Sequence, residues 1–534
     1  MRSIRVEAYI AWMVVGAAAL LAPSCKLLEK KTLVCVASAD CVVTGHVCCG
    51  ATMSCMTQSE CDALALDAGA DAATDAGPDA DSGADAGLDA GPDAGPDAGP
   101  DAAVDLDASS FAVCEPPVAL SPLGQSVGQD AVTDPFGNST IVWMWRPLAG
   151  VESVYAARYS ADAGWEDAGL IAEESDASFS SSASVAVDSL GRAWAAWALS
   201  SSGQGGRIRA IRFIPGPTWG APVDIESADD GGHVGNPRVA VNAAGEGAIM
   251  WALTAAGDSA GGVIRARRIL ADGGLLDAGT LSGADGGNAS DPDLGVDEQG
   301  NIIAVWMATF GPIYSIFSSR YSPAVGWEPA TLLDSAVSTT FPRLVVDPAG
   351  NAITAWRRPL DGGSTPTRAW ARRFTADGGW ESAVAIDGAY FNTTYSSLEP
   401  AVDRAGNVLV AWLYSVDGGS GGTADGVAVN RFSIATGWEG AVSLAFEDAG
   451  VSGPGLALDP NGAGAIVWSV GNGGSSVLKM RRYVPGAGWM QPTVAAATSG
   501  YSISSLVFDV SGRAIASWAE NVDAGSLQRA VVCR

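Results

Sequence analysis

LVVDPAGNAITAW, residues 344 to 356, is one of eight close copies of a single phrase. The others are AVTDPFGNSTIVW ending at Trp143, VAVDSLGRAWAAW at Trp197, VAVNAAGEGAIMW at Trp251, LGVDEQGNIIAVW at Trp306, PAVDRAGNVLVAW at Trp412, LALDPNGAGAIVW at Trp468 and LVFDVSGRAIASW at Trp518. In every copy the tryptophan stands nine residues after an acid, with Asn242 in its place once, and a glycine follows that position by three. An apolar alternating run, a short turn and a second run of β-branched and small residues predict a β-hairpin. Asp134, Asp188, Asn242, Asp297, Asp347, Asp403, Asp459 and Asp509 are read as turn residues, because an Asp or Asn side chain accepts hydrogen bonds from the backbone just beyond it. Pro135, Pro348 and Pro460 sit where a type I turn favours proline, and the glycine takes the left-handed position. A catalytic or calcium-binding role for the same acids is the rival reading. An acid locked to a turn glycine in every copy is the weaker candidate for chemistry.

The tryptophans recur every 50 to 56 residues, a spacing that belongs to propellers and solenoid arrays. After each comes a Gly/Ser-rich stretch of variable length. A third strand follows in which arginine precedes an aromatic residue, as in Arg158-Tyr159, Arg212-Phe213, Arg320-Tyr321, Arg373-Phe374, Arg431-Phe432 and Arg482-Tyr483. A second turn then leads to Trp165, Trp219, Trp327, Trp380, Trp438 or Trp489, with Leu275 in that slot in the third copy, and to a fourth short strand such as EPATLL, 328 to 333. Four antiparallel strands per repeat make a propeller blade, so the fold class expected is all-β, an eight-bladed β-propeller over residues 111 to 534. Trp143, Trp197, Trp251, Trp306, Trp356, Trp412, Trp468 and Trp518 are assigned to packing between blades, with ligand stacking as the alternative.

The eighth copy ends at AVVCR, within its third strand, whereas CEPPVALS, 114 to 121, aligns with the fourth-strand stretch WEPATLLD at 327. The amino-terminal segment is therefore expected to supply the last blade's outer strand, with Cys114 in the second-tryptophan slot and bonded to Cys533 across the seam. Closing the ring in this way leaves no exposed sheet edge at its ends.

Composition limits the partners. The 59 carboxylates outnumber the 30 basic side chains for a net charge of −29, which argues against nucleic acid and anionic membrane surfaces. MRSIR followed by AYIAWMVVGAAALLA reads as a signal peptide over residues 1 to 24 rather than a spanning helix. The run ends at LAPSC, which resembles the lipobox of bacterial lipoproteins, with Ala22 and Pro23 departing from its usual form. Ordinary cleavage after Ala19 is the alternative. The resemblance implies that Cys25 carries the acyl chains and that residues 25 to 34 are a lipid-anchored amino terminus at the bacterial outer membrane or cell surface. Removing Cys25 from nine cysteines leaves eight to pair.

Cys35, Cys41, Cys48, Cys49, Cys55 and Cys61 fall in the order C-x5-C-x6-CC-x5-C-x5-C, which resembles the framework of small cystine-knot modules, here residues 35 to 61. So short a segment needs disulfides to fold. Zinc is the rival, against which stand the lack of CxxC pairs and His46 as the only nearby histidine. Residues 62 to 110 form a linker. Its core, 67 to 107, holds twelve aspartates and no basic residue, a composition that stays solvated and extended, and its alanines lack the spaced large apolar residue of a calcium-binding β-coil.

The DxxGN phrase followed by alternating apolar residues resembles the blade hairpin of bacterial extracytoplasmic propeller repeats such as the NHL and SBBP families. Those families are functionally diverse, so the resemblance implies fold rather than activity. A sialidase-type Asp box also ends in tryptophan, but its acid lies closer to it, and no sialidase residue is carried over. No nucleophile elbow, phosphate loop or metal cluster accompanies the repeats; the sequence names no catalytic residue and no cofactor. Recognition is expected on the face carrying the variable fourth-to-first and second-to-third connections. Tyr390, Phe391 and Tyr395 in one such loop, and Phe310 and Tyr314 in another, are the ligand-binding candidates, with loop packing as the competing fate. The expectation is a monomeric, surface-anchored binding or scaffold propeller for protein or polysaccharide. A polysaccharide hydrolase or lyase, and a structural envelope protein, are the alternatives.

Overall fold

The computed structural model describes residues 46–49, 54–57 and 113–534, apart from the loop segments 148–150, 175–177, 180–182, 202–204, 217, 229–231, 256–260, 283–286, 338, 360–366, 389–397, 416–423, 472–474, 499–503 and 523–524. The chain divides into two units, Met1–Ala102 and Ala103–Arg534. Within the first, His46–Cys49 pairs antiparallel with Ser54–Thr57, placing Cys48 opposite Cys55. Cys25, Cys35, Cys41, Cys61, the signal segment and the linker over 62 to 110 lie outside the described residues.

Among the described residues the second unit is built of strands alone. Eight antiparallel blades follow one another along the chain. Their inner strands are Gln125–Thr133, Ser184–Val187, His233–Val241, Asn288–Val296, Thr340–Val346, Glu399–Val402, the second half of Gly437–Leu458, and Ser504–Phe508. Each inner strand touches the next, and Ser504–Phe508 returns to Gln125–Thr133, so the ring is closed. The long strand Gly437–Leu458 is the outer strand of the sixth blade and continues without a break as the inner strand of the seventh. In most blades the fourth strand is split by a bulge, so that a two-residue piece such as Gly326–Trp327 and a longer one such as Thr331–Val337 both pair with the third strand.

The repeated phrase is the hairpin between the first and second strands. In the fifth blade the Gly350 amide donates to the Asp347 carbonyl and the Asp347 amide to the Asn351 carbonyl, with Gly350 at φ 85°, which is a type I turn closed by a left-handed residue. The Asp347 carboxylate accepts from the Asn351 amide through Oδ1 and from Asn351 Nδ2 through Oδ2. The same carboxylate also meets the next blade: a Cβ built on Gly406 would lie 2.5 Å from Asp347 Oδ2. The acid thus shapes its own turn and forms the floor under its neighbour's. Asn242, the one amide among the eight, donates through Nδ2 to the Asp297 carbonyl of the fourth blade, 3.1 Å away.

All eight phrase tryptophans are fully buried in apolar clusters that span adjacent blades, as where Trp197 packs among Val142, Met144 and Val154. A second layer lies further out. Arg158 covers the Phe213 ring of the next blade at 4.5 Å, and Phe213 leans on Trp219 at 5.4 Å. The sandwich recurs as Arg268 on Tyr321 with Trp327, Arg373 on Phe432 with Trp438, and Arg431 on Tyr483 with Trp489. The arginine-aromatic dipeptides of the third strand are therefore links between blades, each cation lying over a ring face that attracts it.

The eighth blade closes as the sequence implies. Val118–Ala119 pairs with Gly525–Cys533 as the outer strand, and Cys114 is bonded to Cys533. Cys533 stands opposite Ala514, the register at which Tyr159 stands opposite Ser139 and Phe213 opposite Ala193. The disulfide thus takes the place of the aromatic-tryptophan pair found in six of the other blades. Hydrogen bonds from Glu115 N to Val532 O and from Leu120 N to Gln528 O extend the seam.

Reduction of the Cys114–Cys533 bond, which spans 419 residues, is expected to lower the unfolding free energy by about 5 kcal/mol while leaving the far-ultraviolet circular dichroism at 25 °C unchanged. Gly406→Ala is expected to cost about 1–3 kcal/mol more in denaturant unfolding than Gly437→Ala. Both glycines are left-handed, but only the first would press a Cβ against the neighbouring blade.

Candidate functional site

Two of the ligand-binding candidates are seen. Phe310 packs beneath Gly287 and against Phe317, at 6.1 Å, and Tyr314 joins the cluster around Trp356. Both are half-buried at these contacts. Tyr390, Phe391 and Tyr395 lie outside the described residues. The acids of the eight turns and the phrase tryptophans are engaged as above, and among the described residues no group of three or more His, Cys, Asp or Glu is placed to hold a metal.

The feature that sequence reading missed is the axis of the ring. Each inner strand lies at the axial end of its blade and touches the inner strands on either side, so its edge borders the axial channel with no strand paired to it there. Four residues before the turn acid, in otherwise apolar strands, stand Asp130, Ser184, Arg238, Asp293, Arg343, Glu399, Gly455 and Ser505. Asp130, Arg238, Asp293, Arg343 and Glu399 line one cavity of about 590 Å3 together with Gly453, Pro454 and Gly455. Toward the turn-bearing face the wall becomes apolar, with Val132, Val345, Ala401, Ala457 and Val507 around a second cavity of about 740 Å3 that shares Ala131 and Leu506 with the first. The ionised level is on the side of the fourth-to-first connections, the face that the sequence marks for recognition.

A bulge interrupts five inner strands just before this level, between Val127 and Gln129, Gly235 and Arg238, Ser290 and Asp293, Thr340 and Arg343, and Ser452 and Gly455. The bulged residues Gly128, Asn236, Asp291, Phe341 and Gly453 have φ of 50°, 52°, 49°, 56° and 68°. A phenylalanine in this region is strained, and it is held there by the Arg357 guanidinium over its ring at 5.1 Å. Proline follows in NPR (236–238), DPD (291–293), FPR (341–343) and GPG (453–455). That tripeptide, with a charge in an inner strand, is the signal that locates the site in sequence.

The acids at this level join neighbouring blades. Asp130 Oδ1 accepts from the Ala131 amide and Oδ2 from the Val185 amide of the second blade. Asp293 Oδ1 accepts from the Leu294 amide and Oδ2 from the Leu344 amide of the fifth blade. Ser184 Oγ does the same for the Val239 amide of the third. Burial pushes the Asp130 carboxyl up, against the opposing pull of the Val185 amide and Arg238. Burial also lowers the Arg343 guanidinium, and Arg238 pushes it the same way, while Glu399, Asp293 and Asp291 oppose both. Away from the axis, burial raises Glu174, whose carboxylate is held by Arg209 and by Trp197 Nε1 of the next blade.

No protein-family model matches the chain, and no curated protein matches it in sequence. Among solved structures it is similar to the BP39L lectin from Burkholderia pseudomallei, at 10% identity over 77% of this chain and 96% of the lectin, with a TM-score of 0.43. It is also similar to a polysaccharide lyase described as an ulvan lyase, at 10% identity over 78% of this chain and 97% of the lyase, TM-score 0.43. The NanB sialidase from Streptococcus pneumoniae matches at 10% identity over 78% of this chain and 93% of the sialidase, TM-score 0.38. The fold assignment rests on the strand pairing above, not on these likenesses.

A carboxyl raised in the folded state holds its proton longer there than in the unfolded chain. Stability present below the ordinary value of 3.8 for Asp130 is therefore lost as pH rises through the raised value. Glu174, raised from 4.5, acts in the same direction. The urea midpoint is expected to fall as pH rises above about 4, and Asp130→Asn to make that fall shallower, as read from unfolding curves at stepped pH.

Proposed function

We propose that this chain is a binding propeller for a polysaccharide or protein ligand, received at the ionised end of the axial channel. The supporting observation is the cavity itself. Its volume, about 590 Å3, falls in the range of roughly 300–1,000 Å3 typical of small-ligand sites. It also carries two guanidinium groups, Arg238 and Arg343, that the blade-to-blade amide bonds at this level do not use. The phrase acids, the tryptophans and the arginine-aromatic pairs are all engaged in the scaffold, so recognition falls to the residues at the axis.

A hydrolase or lyase would need a carboxyl free to move a proton. Of the three carboxylates on the cavity wall, Asp130 and Asp293 accept backbone amides at both oxygens, which disfavours that role for these two. We further propose that the DxxGN blades are of the NHL or SBBP kind, and that an acyl anchor at Cys25 and the acidic linker hold the propeller off a bacterial outer membrane or cell surface.

Presented to an array of polysaccharides and envelope extracts, the oxidised chain is expected to retain ligand without releasing fragments. Retention should drop at least tenfold when Arg238, Arg343 and Glu399 are changed together to alanine. Released fragments would overturn the reading in favour of an enzyme, and retention indifferent to the triple change would remove the ligand from the axis.

A further inference from the structure

The level of the channel four residues before the turn acid has a structural task that its arginines do not perform. Asp130, Ser184 and Asp293 each accept the backbone amide of the following blade's inner strand, at 2.9, 3.2 and 2.8 Å. Arginine has only donors and cannot take that part. Nor is an acceptor needed where the arginines stand. Beyond Arg238 the corresponding amide, that of Leu294, is already bonded to Asp293 Oδ1. Beyond Arg343 the corresponding residue is Pro400, which has no N–H. The two positions are thus released from the blade-to-blade bond, and each carries a guanidinium on the cavity wall.

The carboxylates engage these guanidinium groups only loosely. Arg238 Nε forms a long ion pair with Asp293 Oδ1 at 3.9 Å, an oxygen that also accepts the Leu294 amide. Arg343 reaches only the carbonyl of its own neighbour Pro342, at 3.4 Å, and no carboxylate among the described residues lies within ion-pair distance of it. Glu399, Asp293 and Asp291 act on Arg343 from beyond that distance, and Asp291 accepts from Asn236 Nδ2 and Ser290 Oγ. A partly desolvated guanidinium is stabilised by an anion that takes its forked donors in pairs, and a carboxylate has that geometry.

The surroundings select among carboxylates. The cavity wall mixes charged side chains with Gln129, Ser505 and the small residues Gly453 and Gly455, a polar surface suited to hydroxyl groups. The bulges at Gly235/Arg238, Ser290/Asp293 and Thr340/Arg343 break the regular spacing that an added peptide strand would need. We infer that Arg343, assisted by Arg238, is an anion subsite for the carboxylate of a uronic acid unit in an acidic polysaccharide. The inference deepens the binding reading above and depends on it.

The test is calorimetric titration of the full oxidised chain with trigalacturonate, with its methyl ester and with an acidic hexapeptide. The free acid is expected to bind at least tenfold more tightly than the ester, with affinity falling as salt rises. Arg343→Met should bring the affinity for the acid down to that for the ester, Arg343→Lys should restore part of the difference, and Arg238→Met should weaken the acid by a smaller factor. Thermal unfolding within a few degrees of the parent certifies each variant as folded. Equal affinity for acid and ester, or a preference that survives Arg343→Met, overturns the subsite. Tighter binding of the hexapeptide overturns the saccharide assignment. If the array retains a ligand but neither trisaccharide binds, the uronate assignment fails while the binding reading stands; if the array also retains nothing, the binding reading fails with it.

Discussion

A blade of this protein is a sheet with apolar side chains on both faces, and water is a poor neighbour for either. Stacking a second blade covers one face and leaves another open, so any open array ends in two exposed surfaces. Closing the stack into a circle removes both at once. The eight tryptophans fill the wedges between blades, the arginine-aromatic-tryptophan sandwiches fasten the periphery, and the turn acids Asp134, Asp188, Asp297, Asp347 and Asp403 each lie under the turn glycine of the next blade. The circle holds only if its last blade is completed, which the segment from Cys114 to Ala119 does by strand pairing and a disulfide.

Closure also creates the channel. Eight inner strands brought edge to edge around an axis leave their outermost backbone groups without a sheet partner, and their spacing leaves a cavity. The protein does not fill that space uniformly. One end is walled by valine and alanine, and the other by carboxylates and guanidinium groups. The carboxylates are drawn into the ring as acceptors for neighbouring amides. The guanidinium groups at Arg238 and Arg343 have no such employment, since a proline and an already bonded amide occupy the positions they face. The same closure that stabilises the scaffold therefore leaves cationic donors facing a concave space.

Much of this was legible in the chain itself. The DxxG phrase encodes its own hairpin, because an Asx side chain, a left-handed glycine and alternating apolar residues act over a dozen residues and need no distant partner. Cys114 in the tryptophan slot and the truncated last copy announce the seam for the same reason: a repeat makes its own exceptions visible. The surroundings of the aromatic candidates were not legible in the same way. Phe310 lies against Gly287 and Phe317 of its own blade, and Tyr314 against the cluster around Trp356 of the next. Such contacts depend on which strands pair and which blades meet.

What the sequence determined by itself was the local and the repeated: hairpins, strand count, blade count and the manner of closing. Each follows from the conformational preference of a few neighbouring residues multiplied by eight. What only the tertiary structure decided was which charges share a space. Asp130, Arg238, Asp293, Arg343 and Glu399 are separated by one or two repeats each, and nothing in their local surroundings draws them together. They meet because a closed ring carries equivalent positions of successive repeats around one axis, and distance across that axis is a property of the circle, not of the chain.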